Sequence, residues 1–106
     1  MLGRNAAEGV LRTVAELREV NADPAAVAET ERRLTAAARE SGCWISADGR
    51  IGEADVAALL GITQGALANK RREGSAPLAY ELGGGRHRVT YRLGDVARWI
   101  EAHRVR

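Results

Sequence analysis

A helix stop, a two-residue turn and a helix start follow one another at Leu60-Gly61-Ile62-Thr63, and this tetrad constrains the chain more than any other feature. Upstream, Val56, Leu59 and Leu60 share one helical face. Glu53 and Asp55 stand in the first turn, where carboxylates complement the helix dipole. This predicts a helix beginning at Gly52 and ending at Gly61, a residue free to adopt the left-handed conformation. Downstream, Thr63 is an N-cap, and Ile62 and Leu67 have the spacing of a hydrophobic staple, as do Ile51 and Val56. The next helix reaches Arg72 or Glu73 and stops at Gly74, because Ser75-Ala76-Pro77 cannot continue it. Helix, glycine turn and Thr-capped helix together have the spacing of a helix-turn-helix.

Two further helices are expected before this unit. Ala7, Val10, Leu11, Val14 and Leu17 form an apolar stripe over residues 5–20. Asp23 caps a second helix over residues 24–40, with Pro24 in its first position and Val27, Thr30, Leu34 and Ala37 as a thin seam. Ser41-Gly42 stops it. Residues 1–42 thus read as a helical hairpin, a support or oligomerisation element, and residues 43–106 as the second unit. Cys43-Trp44-Ile45-Ser46 reads as extended, with Trp44 packing the hairpin onto the second unit, and residues 47–50 as a turn. Residues 78–82 and 89–92 are strand candidates joined by the Gly-rich, basic tip Gly83-Gly84-Gly85-Arg86-His87-Arg88. Asp95 opens a last helix with Val96, Trp99 and Ile100 as its core face. The expected fold is mostly α: a winged helix-turn-helix with a two-stranded β-hairpin wing, preceded by the N-terminal helical hairpin.

Large apolar side chains are scarce, with no Phe against 20 Ala in 106 residues. A core of closely packed helices is implied, small enough that oligomerisation is a common remedy. At 28% charged residues and 45% hydrophobic ones, the composition is that of an ordinary globular chain. No apolar run approaches the ~20 residues that span a bilayer, and no basic stretch leads into an apolar leader. One cysteine, Cys43, makes neither an internal disulfide nor a Cys-rich zinc site, which suits reducing cytoplasm. Beside Trp44 it reads as a core thiol. The histidines, His87 and His103, stand apart without a ligand cluster, and no acid–base pair or nucleophile stands out, so neither a metal site, a cofactor nor an enzyme is expected.

The charge has an address. Residues 1–50 carry seven Arg against eight carboxylates, whereas residues 63–92 carry six Lys or Arg against two, plus His87. An anionic partner is implied. Around the Thr63-capped helix, Gln64, Gly65, Ala68, Asn69, Lys70, Arg71 and Arg72 lie off its apolar positions Ile62, Ala66 and Leu67. Gln and Asn match adenine, Arg matches guanine, and Lys and Arg also reach phosphates. The free N–H groups near Thr63 can hold a phosphate as well. The plainer alternative is a solvated helix face with a basic end. The hairpin tip fits neither GxGxxG nor GxxxxGK[ST], and its flanks are strands. It reads as a wing whose Arg86, His87 and Arg88 meet phosphates or a minor groove, or else as a turn between edge strands. Tyr91 is either a core residue or a phosphate donor.

Glu53-Ala54-Asp55-Val56-Ala57-Ala58-Leu59-Leu60-Gly61-Ile62-Thr63, Leu67-Ala68-Asn69-Lys70-Arg71-Arg72-Glu73-Gly74, Pro77 and residues 89–100 carry a resemblance. Residues 51–103 resemble the excisionase-like, AlpA-type branch of the MerR superfamily, a winged helix-turn-helix DNA-binding fold. The resemblance implies that Gln64, Gly65, Ala68, Asn69 and either Arg71 or Arg72 approach the major groove, with Arg86 and Arg88 on the wing. Members often carry Trp where this chain has Lys70, so Lys70 either snorkels over the core or points toward DNA. The family spans excision factors, transcription regulators and similar folds in small packaging-terminase subunits. The expectation is a sequence-specific double-stranded DNA-binding protein of bacterial, phage or plasmid type, a regulator or recombination accessory factor that forms a homodimer or larger homo-oligomer through its N-terminal helices. The alternative is a protein-interaction module or DNA-packaging adaptor on the same fold.

Overall fold

A computed structural model describes residues 21–83 and 88–105 of the chain. The expected first helix at 5–20 and the tip residues Arg86 and His87 lie outside the described residues. Helix α1 (Pro24–Glu40) starts as the sequence predicts, with the Asp23 carboxylate accepting from the Ala25 N–H at 3.2 Å. It ends at Gly42, whose φ of 70° is left-handed, and the Cys43 N–H returns to the Ala38 carbonyl at 3.0 Å. Leu34 and Ala38 are its buried residues, and Val27 packs against the core.

A strand stands where a turn running directly into a helix was expected. Residues 47–49 do turn, but β1 (Arg50–Gly52) pairs antiparallel with β3 (Val89–Arg92), as β2 (Ala79–Glu81) does on the other side. The sheet has three strands in the order β1-β3-β2, so the expected two-stranded hairpin is corrected. Three residues are too few to display a period of two, and β1 exists because β3 supplies its hydrogen bonds. Ile51 and Ala79 both stand opposite Tyr91, one on each side of the central strand.

Helix α2 (Glu53–Leu60), helix α3 (Gln64–Glu73) and helix α4 (Leu93–Ala102) complete a mostly helical domain of four helices and one small sheet among the described residues. Tyr91, Ile51, Leu67, Val56 and Val96 are its largest fully buried apolar side chains. Leu34 of α1 belongs to the same core. The apolar face of α1 is spent chiefly on α4, where Thr30 Oγ1 also donates to Glu101 Oε2 at 2.8 Å. Helix α4 begins two residues before Asp95, because the Leu93 N–H is met by the Gly49 carbonyl at 2.9 Å, a tertiary partner with no sequence signal.

One tryptophan differs from expectation. Trp99 is half-buried rather than in the core; its Nε1 donates to the Ser75 carbonyl at 2.9 Å and its ring lies against His103 at a tilt of 39°, with centroids 4.5 Å apart. A Trp carries a polar N–H that must find an acceptor, and the loop after α3 offers one. Trp44 keeps 42% of its surface exposed, and Ile45 is the residue of that stretch packed against the core. No helix among the described residues is long and apolar enough to cross a membrane.

Candidate functional site

The α2–α3 unit is built from local signals. Gly61, at φ 75°, ends α2, and the Ile62 N–H returns to the Ala57 carbonyl at 3.0 Å. Thr63 Oγ1 then accepts from the Ala66 N–H at 3.0 Å and starts α3. Both staple pairs close into the core, Ile51 with Val56 and Ile62 with Leu67. Gly74, at φ 79°, ends α3, and the Ser75 N–H bonds the Lys70 carbonyl at 2.8 Å. Trp99 holds that same Ser75 from α4, so α3 is tied at both ends.

The residues expected on a binding face divide into two sets. Thr63, Gln64, Gly65, Asn69 and Arg72 are exposed. Gly65, Asn69 and Arg72 recur at i, i+4 and i+7, which makes one outward stripe. Along it Arg72 Nη1 donates to Asn69 Oδ1 at 2.8 Å, and a Cβ added at Gly65 would meet nothing within 4 Å. Ala68 turns the other way and is buried with Leu67. Lys70 is half-buried. Arg71 shares the inward face, and Arg71 Nε and Nη2 donate to the two oxygens of Glu53 at 2.8 and 3.3 Å. Arg88 is 66% exposed beside Glu81, with 3.6 Å between guanidinium and carboxylate.

A cleft of about 350 Å³ brings two of the expected residues together. Gln64 at the start of α3 and Arg88, just before β3, line it with Gly52, Glu53, Ala54, Asp55 and Val89. The first turn of α3 and the root of the basic hairpin therefore share one face of the molecule.

Sequence reasoning missed what lies behind this face. Tyr91, read as either core or phosphate donor, is fully buried, and its hydroxyl donates to Glu53 Oε2 at 2.6 Å. Burial disfavours a charge on Glu53, yet the bonds from Arg71 and Tyr91 and the Arg71 charge outweigh it and hold the carboxyl below its ordinary value. Burial, then the bond and charge of Glu53, push the Tyr91 phenol well above its own. Glu53 and Arg71 are 18 positions apart and on different helices, so no periodicity announces them. The one available signal was a carboxylate opening the first helix of the pair and an Arg in the last turn of the second.

Asp48 makes a second, exposed cluster at the turn before β1. It accepts from Ser46 Oγ and Arg50 Nε, and Arg92 Nη2 reaches it at 3.3 Å. The bonds from Ser46 and Arg50 lead in holding its carboxyl well below the usual range. Cys43 is half-buried; burial and then the Asp55 carboxylate raise its thiol above the ordinary value, the opposite of what activates a nucleophile. Among the described residues no group of three or more His, Cys, Asp or Glu is arranged to hold a metal ion. Comparison with known proteins finds no family model, no curated protein and no solved structure that matches this chain.

Proposed function

We propose that the chain is a sequence-specific double-stranded DNA-binding protein of the excisionase-like, AlpA-type kind, with α2 and α3 as its helix-turn-helix and the β2–β3 hairpin as its wing. It acts as a transcription regulator or a recombination accessory factor, and its single cysteine suits a reducing cytoplasm. The observation that carries this reading is the outward stripe of Gly65, Asn69 and Arg72 on a Thr-capped helix whose first residue, Gln64, shares a cleft with Arg88. A helix entering a major groove needs small or amide side chains at base edges and Arg at bases or phosphates, and this stripe supplies both. One short helix and one hairpin make a small interface, so two copies reading half-sites about one helical turn apart are expected. With α1 spent on α4, the stripe read from the sequence at residues 5–20 is what supports pairing of the copies.

Fluorescence anisotropy of a random duplex of about 30 bp, titrated at several salt concentrations, tests the reading, and a slope of log K against log salt near −4 to −6 per protomer is expected. Absence of binding at low salt would defeat it, and the same fold as a protein-interaction module or packaging adaptor would take its place.

A further inference from the structure

Three basic residues follow one another in the last turn of α3, and they do not behave alike. Arg72 faces out and meets Asn69. Arg71 lies on the inward face, and its guanidinium grips both oxygens of Glu53, a carboxylate only 8% exposed. Tyr91 Oη closes the group at 2.6 Å. One carboxylate thus joins the first residue of α2, the last turn of α3 and the central strand of the sheet, which continues into the basic hairpin. Helix α3 also packs the fully buried Leu67 on the core, with Ala68 buried beside it, and is tied at both ends. A two-pronged guanidinium–carboxylate pair has a fixed plane, and it adds a directional restraint on the rotation of the helix about its own axis. Turning Arg71 out to a phosphate would strip a nearly buried carboxylate of its counter-charge, and a solvent-exposed phosphate contact returns less than that loss.

We infer that Arg71 is a positioning residue, latched through Glu53 to Tyr91 so that the rotation of α3 is set against the sheet, and is not one of the basic groups that meets the anionic partner. The inference rests on the duplex-binding reading and deepens it. The stripe of Gly65, Asn69 and Arg72 points outward because Arg71 points inward, and the latch couples that stripe to the strand that directly follows Arg88.

The test uses the full chain with the same random duplex and a salt series, comparing Arg71→Met, Arg71→Lys, Tyr91→Phe and, as an exposed control, Arg72→Met. Arg72→Met should flatten the salt slope by about one unit, whereas Arg71→Met should leave it at the wild-type value. Preference for a duplex selected from a random pool should fall at least about fivefold in Arg71→Met and Tyr91→Phe, the smallest loss expected from misplacing one bidentate base contact. Lysine carries the charge but not the fork, so Arg71→Lys should fail to restore that preference. A slope flattened by Arg71→Met as much as by Arg72→Met, or full rescue by Arg71→Lys, would overturn the inference. Amide hydrogen exchange without DNA reads the latch independently of the duplex reading. Tyr91→Phe should accelerate exchange in α3 more than in α4, and equal acceleration in both would overturn the latch even if the wild-type chain bound no duplex.

Discussion

Tyr91 Oη lies 2.6 Å from Glu53 Oε2, in a domain where Tyr91 is the largest fully buried side chain. A phenol and a carboxylate so placed depend on each other. The hydroxyl donates to Oε2, which also accepts from Arg71 Nε, and Arg71 Nη2 takes the other oxygen. Replacing Tyr91 by Phe removes one hydroxyl and little volume, which makes it the mildest way to perturb the group.

The group makes stability depend on acidity in a defined direction. Glu53 is held below its ordinary carboxyl value of 4.5 in the folded chain. A carboxyl whose folded pKa is depressed contributes fully above its unfolded pKa, and that contribution is lost as pH falls through the folded one. Glu53→Gln should therefore destabilise by about 1.5–3 kcal/mol at pH 7, the range for hydrogen bonds to charged groups. The gap between wild type and variant should narrow as pH drops below 4.5. Asp48, Glu29 and Glu101 are also depressed but present in both proteins, so they cancel in the difference. Urea midpoints at pH 7, 5, 4 and 3 check this, and a gap of constant size would contradict it.

Gly65 should separate stability from binding. It sits in the first turn of α3 with open space around it, so Gly65→Ala meets no obstruction. Alanine should stabilise the chain by about 0.5–1 kcal/mol through its better helix propensity. If the helix backbone lies close to base edges there, the same change should weaken binding to a selected duplex. Thermal melts and anisotropy on one preparation read both effects. A variant that is more stable and binds equally well would remove Gly65 from the contact face.

Arg88 and Asn69 should fail differently. Arg88 stands at the hairpin root, exposed, and a phosphate contact there is blind to sequence. Arg86→Ala combined with Arg88→Ala should weaken all duplexes alike and flatten the salt slope. Asn69→Ala or Gln64→Ala should weaken the selected duplex preferentially, by about 1–3 kcal/mol per lost bidentate pair, with the salt slope kept. An altered sequence preference from the Arg pair with an unchanged slope would reverse this division.

Much of the scaffold was legible because its signals are local. Asp23, Thr63, Gly42, Gly61 and Gly74 each act within a few residues of the chain, through a capping oxygen or a left-handed turn, and the helices start and stop where those residues say. The staple pairs are local as well. The third strand was not legible, since Arg50–Gly52 is defined by partners some forty residues later. The face of α3 was only half legible. Its polar residues were all visible in the sequence, but Ala68 and Arg71 were grouped with the outward set, when Ala68 is buried beside Leu67 and Arg71 is held inward by Glu53.

The order of residues alone was enough to set the succession of helices, the turn between α2 and α3, the position of the strand at Val89–Arg92 and the concentration of positive charge on the second half of the chain. Caps, glycines and charge counts are properties of short stretches, and short stretches carry them into any fold. Closure of the fold was needed before α1 could spend its apolar face on α4, Trp99 could brace the end of α3, and Arg71 could turn inward. The first is apolar burial against a helix far along the chain, the other two depend on which distant group meets a polar atom, and those partners exist only once the chain has closed on itself.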